Sequence, residues 1–215
     1  MGRRRILSAI AVYGALAAAA VGVLLLAGRP LGSHPDPWLD LGPLAQIGAS
    51  VAGGLALALF GIVSTRWLVR NTRWARDLHI SFRGLLGRLS GAEIAVFALT
   101  SGFAEELFFR GALQPWMGYV ATSIVFGAVH LGPSRKFLPW TIWAVAMGFL
   151  FGAVYAVSGQ LIGPMLAHIV VNYENLHFIN SHDPALVVDE SSASSSSTGP
   201  LVGGRERGGG SRSWH

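Results

Sequence analysis

Phe97-Ala-Leu-Thr-Ser-Gly-Phe-Ala-Glu105-Glu106-Leu-Phe-Phe-Arg110 is the stretch that decides how this chain folds. Two adjacent carboxylates interrupt an otherwise apolar run from Phe97 to Phe109, and Arg110 follows directly. A carboxylate in a hydrocarbon-like setting is costly and marks a functional site by default. On a helix, Glu106 and Arg110 are four residues apart, share a face and can pair. Glu105 is rotated by about 100° from Glu106 and points to a neighbouring face. One carboxylate is therefore neutralised, and the other is surplus to any structural ion pair.

The rest of the composition agrees with a membrane setting. Of the 215 residues, 52% are hydrophobic and 13% are charged, and the mean hydropathy is +0.49. Ordinary soluble domains carry about 25% charged residues. Cysteine is absent, which removes disulfides, thiolate metal sites and a cysteine nucleophile. Six apolar segments can be drawn, at residues 6–28, 43–65, 92–114, 117–132, 138–157 and 160–179. The spacing predicts an all-α polytopic bundle of about six transmembrane helices.

The formal charge of +5 would suit nucleic acid, but the basic residues sort by topology instead. Arg3–Arg5 precede the first segment. Arg66, Arg70, Arg73, Arg76, Arg83 and Arg88 separate the second from the third. Arg135 and Lys136 separate the fourth from the fifth, and Arg205, Arg207 and Arg212 follow the sixth. Only Arg29 falls in a loop on the other side, and Arg110 lies inside a segment. This positive-inside pattern puts both termini in the cytoplasm and favours an even number of spans in a bacterial inner membrane. Nucleic acid is not an expected partner. The run from Ile6 to Ala27 exceeds a usual signal-peptide core, so an uncleaved first helix is expected.

Four regions follow: residues 1–65, two N-terminal helices; 66–91, a basic connector; 92–180, a catalytic helix bundle; and 181–215, a Ser/Gly-rich tail expected to be disordered. In the connector, Trp67, Trp74, Leu78, Phe82 and Leu86 interleave with arginines. It reads either as an interfacial amphipathic helix or as a solvated loop with aromatic anchors. Trp140 and Trp143 read as further interface anchors, and Gly127, Gly148 and Gly152 as close helix-packing positions.

Two later segments carry polar pairs at helical spacing: Phe126 with His130, and His168 with Asn172. Glu105 and His130 lie twelve and thirteen residues from position 117, or roughly 18–20 Å from the outer turn. His168 and Asn172 lie roughly 12–18 Å into the last segment. All four can share one layer. Their chemistry suggests amide hydrolysis. Glu105 takes a proton from water with help from His130, while His168 and Asn172 donate to the developing oxyanion. Glu106, Arg110 and Phe126 support the site. No cofactor is firmly implied. A zinc ion on Glu105, His130 and His168 is the open alternative, with Asn172 standing where a third strong ligand would be expected.

These residues resemble those of the CPBP intramembrane proteases, also called the Abi family, which includes the type II CAAX prenyl endopeptidases. The motif EExxxR stands as Glu105-Glu106-Leu-Phe-Phe-Arg110, FxxxH as Phe126-Gly-Ala-Val-His130, and HxxxN as His168-Ile-Val-Val-Asn172. The resemblance covers about residues 90–180. It implies a glutamate-activated water at Glu105 and His130, an oxyanion hole at His168 and Asn172, and a membrane-anchored protein or lipidated peptide as substrate, cut near its C-terminus. It also admits a noncatalytic bacteriocin-immunity or scaffold role. A transporter using the same carboxylates would favour inverted repeats, and none is present in the sequence.

Overall fold

A computed structural model describes residues 2–184, and these are helical with no β-strand among them beyond one isolated antiparallel bridge between Ser33 and Gln160. The helices are α1 (Gly2–Leu26), α2 (Pro43–Asn71), α3 (Arg73–Leu86), α4 (Gly91–Glu106), α5 (Gln114–Met117), α6 (Tyr119–Ala128), α7 (Leu138–Ser158) and α8 (Ile162–Ser181). Between α4 and α5 the chain makes wide π-type turns over Leu107–Leu113. Three helices are long and apolar enough to cross a membrane: Gly2–Leu26, Pro43–Asn71 and the stretch Arg135–Ser158. The third and sixth apolar segments become α4 with its wide turns and α8. The fourth is shorter than drawn, a helix of Tyr119–Ala128. The tail expected from residue 181 begins inside α8, and residues 185–215 lie outside the described residues.

Local chemistry explains the helix ends. Ser90 and Glu93 form a reciprocal capping box at the start of α4: Ser90 N–H donates to the Glu93 carboxylate at 2.8 Å, and Glu93 N–H donates to Ser90 Oγ at 3.3 Å. Proline opens α2, α5 and α7, where its missing N–H is no loss. Gly87 closes α3 at φ 62° and Gly159 closes α7 at φ 74°, a backbone region that side chains disfavour.

Of the two readings of the basic connector, the structure has the helix. α2 continues to Asn71, past the boundary at residue 65, and α3 follows after a single residue. Its inner face buries Ala75 and His79. Arg83 donates to three carbonyls at the end of α8, those of Ile179 (2.6 Å), Asn180 (3.2 Å) and His182 (3.0 Å). These are orphan acceptors that a helix C-terminus leaves open. His79 Nε2 sits 2.9 Å from the His182 carbonyl, and burial holds its imidazole below the ordinary histidine range. The neutral ring donates to that carbonyl.

The core centres on Phe109, Phe126, Met147, Phe151 and Val171, drawn from four elements. Outward faces remain apolar, as at Leu7, Val12, Leu25, Leu55, Phe60, Val63 and Ile142, as lipid contact requires. Glycines bring the helices close. A Cβ on Gly127 would run into Val145, and one on Gly148 would meet the Ser123 carbonyl at 2.9 Å. α2 and α8 touch through Gly54 and Gly163, where a Cβ on either would collide with the opposite backbone. Close approach through small residues is how helices associate where lipid removes the hydrophobic incentive.

Candidate active site

The wide turns after Glu106 present Arg110 and Gln114 to α7. Arg110 Nη2 donates to the Gly148 carbonyl at 2.9 Å, and Gln114 Nε2 donates to the Gly152 carbonyl at 3.0 Å. Both donors and both acceptors are four residues apart, so the two bonds form consecutive rungs. A Cβ on Gly152 would lie 2.8 Å from Gln114 Oε1, which leaves glycine as the fitting residue there. π-type turns within helices often mark functional sites. They also depart from the regular rise assumed in estimating the depth of Glu105 from the chain alone.

Glu106 and Arg110 are both fully buried and pair at 3.2 Å, as the i, i+4 spacing predicts. The guanidinium also lies 4.2 Å from the Phe126 ring centroid and 5.5 Å from that of Phe151. Phe126 therefore does more than fill space: its ring face takes the cation. Glu106 has a second partner not visible in the motif. Its Oε1 is 2.7 Å from His168 Nδ1. Because that oxygen also accepts from Arg110, the histidine nitrogen is the donor.

Glu105 sits one residue away with a different environment. Its Oε2 is 3.5 Å from His130 Nε2 and 4.0 Å from His168 Nε2, and it has no hydrogen-bond partner. His130 lies just past the end of α6 rather than within it. Its Nδ1 is 2.6 Å from the Phe126 carbonyl, which can only accept, so Nδ1 carries the proton and Nε2 is turned to Glu105. Trp140 packs edge-to-face on His130 with ring centroids 5.3 Å apart. It lines the cavity, together with Trp143.

Asn172 donates through Nδ2 to Ser101 Oγ at 2.9 Å, and Ser101 donates in turn to the Phe97 carbonyl at 2.7 Å. Ser101 fixes the amide orientation and leaves the second N–H of Nδ2 outside that bond. Sequence reasoning missed Ser101. Its signal was available, because it stands one helical turn before Glu105. Glu105, His130, His168, Asn172 and Ser101 all line one cavity of about 1200 Å³. The cavity is also lined by Arg4 and Arg5 of α1 and by Trp74, His79 and Phe82 of α3.

The four candidate residues thus come together, with Glu106, Arg110 and Phe126 beneath them. Among the described residues, no group of three or more His, Asp or Glu side chains is arranged to hold a metal ion. The zinc alternative of Glu105, His130 and His168 is not such a group.

Gly102 sets the distance between α4 and α8. A Cβ there would lie 2.6 Å from Ile169 Cγ1 and 2.8 Å from its backbone nitrogen. Gly102→Val should push α8 from α4, separate His168 from the two glutamates and destabilise the fold by about 1–3 kcal/mol. Thermal unfolding in detergent measures this, with Gly84→Val as a control at a position where a Cβ meets nothing.

A polar, largely buried cluster thus sits at the wall of an apolar cavity within the helical bundle. Residues 88–173 match the family model described as type II CAAX prenyl endopeptidase Rce1-like, a likeness consistent with a CPBP intramembrane protease. The chain is 35% identical over 88 residues to the uncharacterized protein YpbD of Bacillus subtilis, covering 41% of this chain and 46% of that one. It is 28% identical over 161 residues to an uncharacterized protein of Corynebacterium glutamicum, covering 69% of this chain and 50% of the relative. The chain spans about half the length of these curated relatives. No solved structure matches it.

Proposed function

We propose that this protein is an intramembrane endopeptidase that hydrolyses a peptide bond near the C-terminus of a membrane-associated protein or lipidated peptide. The observation that carries the reading is the unequal environment of the two glutamates. Glu106 is held by Arg110 and His168, whereas Glu105 Oε2 faces the cavity histidines with no hydrogen-bond partner.

Glu105 takes a proton from a water placed between it and His130. The water oxygen bonds to the scissile carbonyl carbon. The resulting oxyanion accepts from the second Asn172 Nδ2–H and from His168 Nε2–H. Collapse breaks the C–N bond, and Glu105 passes its proton to the departing amine.

His168 gives Nδ1–H to Glu106, so donation from Nε2 to the oxyanion requires a proton on each ring nitrogen. Six spans, with both ends of the chain on the cytoplasmic face of a bacterial inner membrane, complete the reading. The geometry supports the shared side: Arg5 bonds the Leu86 carbonyl, and Arg83 bonds the end of α8, so the start of α1 and the end of α8 lie at one end of the bundle.

Mass spectrometry of membrane-protein C-termini tests the proposal, comparing wild type with Glu105→Ala in the same cells. The expected result is a set of truncated C-termini present only with the wild-type protein. Identical C-termini in both strains overturn it. Full retention of a cellular phenotype by Glu105→Ala would favour a noncatalytic immunity or scaffold role.

A further inference from the structure

Outside the family-matched stretch, α1 packs along α4 and the wide turns, and two contacts fix its register. A Cβ on Gly2 would lie 3.4 Å from Glu93 Cδ, and one on Gly111 would lie 3.7 Å from Leu24 Cδ1. The two helices therefore run parallel from the same end of the bundle. Tyr13 is eleven residues beyond Gly2, and Glu105 is twelve beyond Glu93. At about 1.5 Å per residue, both lie roughly 16–18 Å along their helices, at the same level. Tyr13 lines the same cavity as Glu105.

We infer that Tyr13 is a positioning residue for Glu105, and that α1 completes an active site whose recognised motifs all lie on later helices. This rests on the proposed hydrolytic reading. Glu106 is oriented by Arg110 and His168, but Glu105 has only histidines at 3.5 and 4.0 Å on Oε2. A carboxylate that must accept a proton from water along one direction needs its rotamer held. A phenol supplies a donor that holds it without adding charge to a buried cluster. If Tyr13 only fills space between α1 and α4, its ring matters and its hydroxyl does not.

Tyr13→Phe removes only the hydroxyl and separates the two. The full chain, purified in detergent, is compared as wild type, Tyr13→Phe, Glu105→Gln and the double variant. Infrared difference spectra against the matching Glu105→Gln protein isolate the carboxyl stretch of Glu105 in each background. That stretch is expected to move in Tyr13→Phe. With an internally quenched peptide ending in farnesyl-cysteine and three further residues as probe, kcat is expected to fall roughly tenfold while KM stays within about twofold. The unfolding temperature of Tyr13→Phe confirms that the protein remains folded. A Glu105 band at the wild-type position in Tyr13→Phe overturns the inference, as does an unchanged kcat beside an inactive Glu105→Gln. Wild-type turnover by Glu105→Gln would instead overturn the hydrolytic reading, with the band shift still reporting whether Tyr13 contacts Glu105.

Discussion

Glu105→Gln is expected to stop the proposed hydrolysis. The amide has nearly the shape of the carboxylate but cannot accept water's proton, so kcat/KM should fall by about a thousandfold, within the range for loss of a general base. The substitution leaves the Arg110 and His168 contacts of Glu106 in place. Thermal stability in detergent should therefore stay near the wild-type value. Glu106→Gln gives the opposite pattern. It weakens the contacts to Arg110 and His168 and lowers stability together with activity. Parallel measurement of turnover and unfolding for the two variants separates their roles. Equal losses of stability in both would show that the two carboxylates are structurally equivalent.

Arg110→Met carries the largest expected effect on stability. The guanidinium is fully buried, pairs with Glu106, caps the Gly148 carbonyl and lies on the Phe126 ring. Methionine approximates the stem but leaves Glu106 as an uncompensated charge in the bundle. Removing one partner of a buried ion pair costs about 3–5 kcal/mol. Arg110→Lys should recover only part of this, since an ammonium group cannot reach the carboxylate and the carbonyl in the same planar fork. Folded yield from membranes and unfolding temperature are the measurements. Full stability in Arg110→Met would mean that Glu106 is not charged in the folded protein.

Much of the site was legible because its residues recur at helical spacing. Glu106 with Arg110 follows from the i, i+4 rule, and the geometry matches it. His168 and Asn172 follow from the same rule on α8. Residues distant in sequence were harder to join. His168 meets Glu106 across 62 positions, and Asn172 meets Ser101 across 71. No periodicity within one segment encodes such a pairing. The wide turns were hidden for another reason: Leu107–Leu113 is as apolar as its surroundings, and the departure from α geometry lies in which carbonyl each N–H reaches. The packing of Trp140 on His130 was not legible, because an aromatic near a segment end fits the membrane interface equally well. Tyr13 lay in a helix whose sequence carries no other polar signal at that depth.

The bond between His168 and Glu106 also bears on the order of biosynthesis. Synthesis proceeds from the N-terminus, so α4 emerges while α8 is still to be made. At that stage the stretch from Glu105 to Arg110 holds two carboxylates against one guanidinium, an unbalanced charge that a bilayer tolerates poorly. The His168 imidazole that bonds Glu106 arrives only with α8. That helix therefore brings more than two candidate site residues to the bundle. It supplies the second partner of a carboxylate on a helix inserted before it, and a chain truncated ahead of Ile162 would leave Glu106 with Arg110 alone.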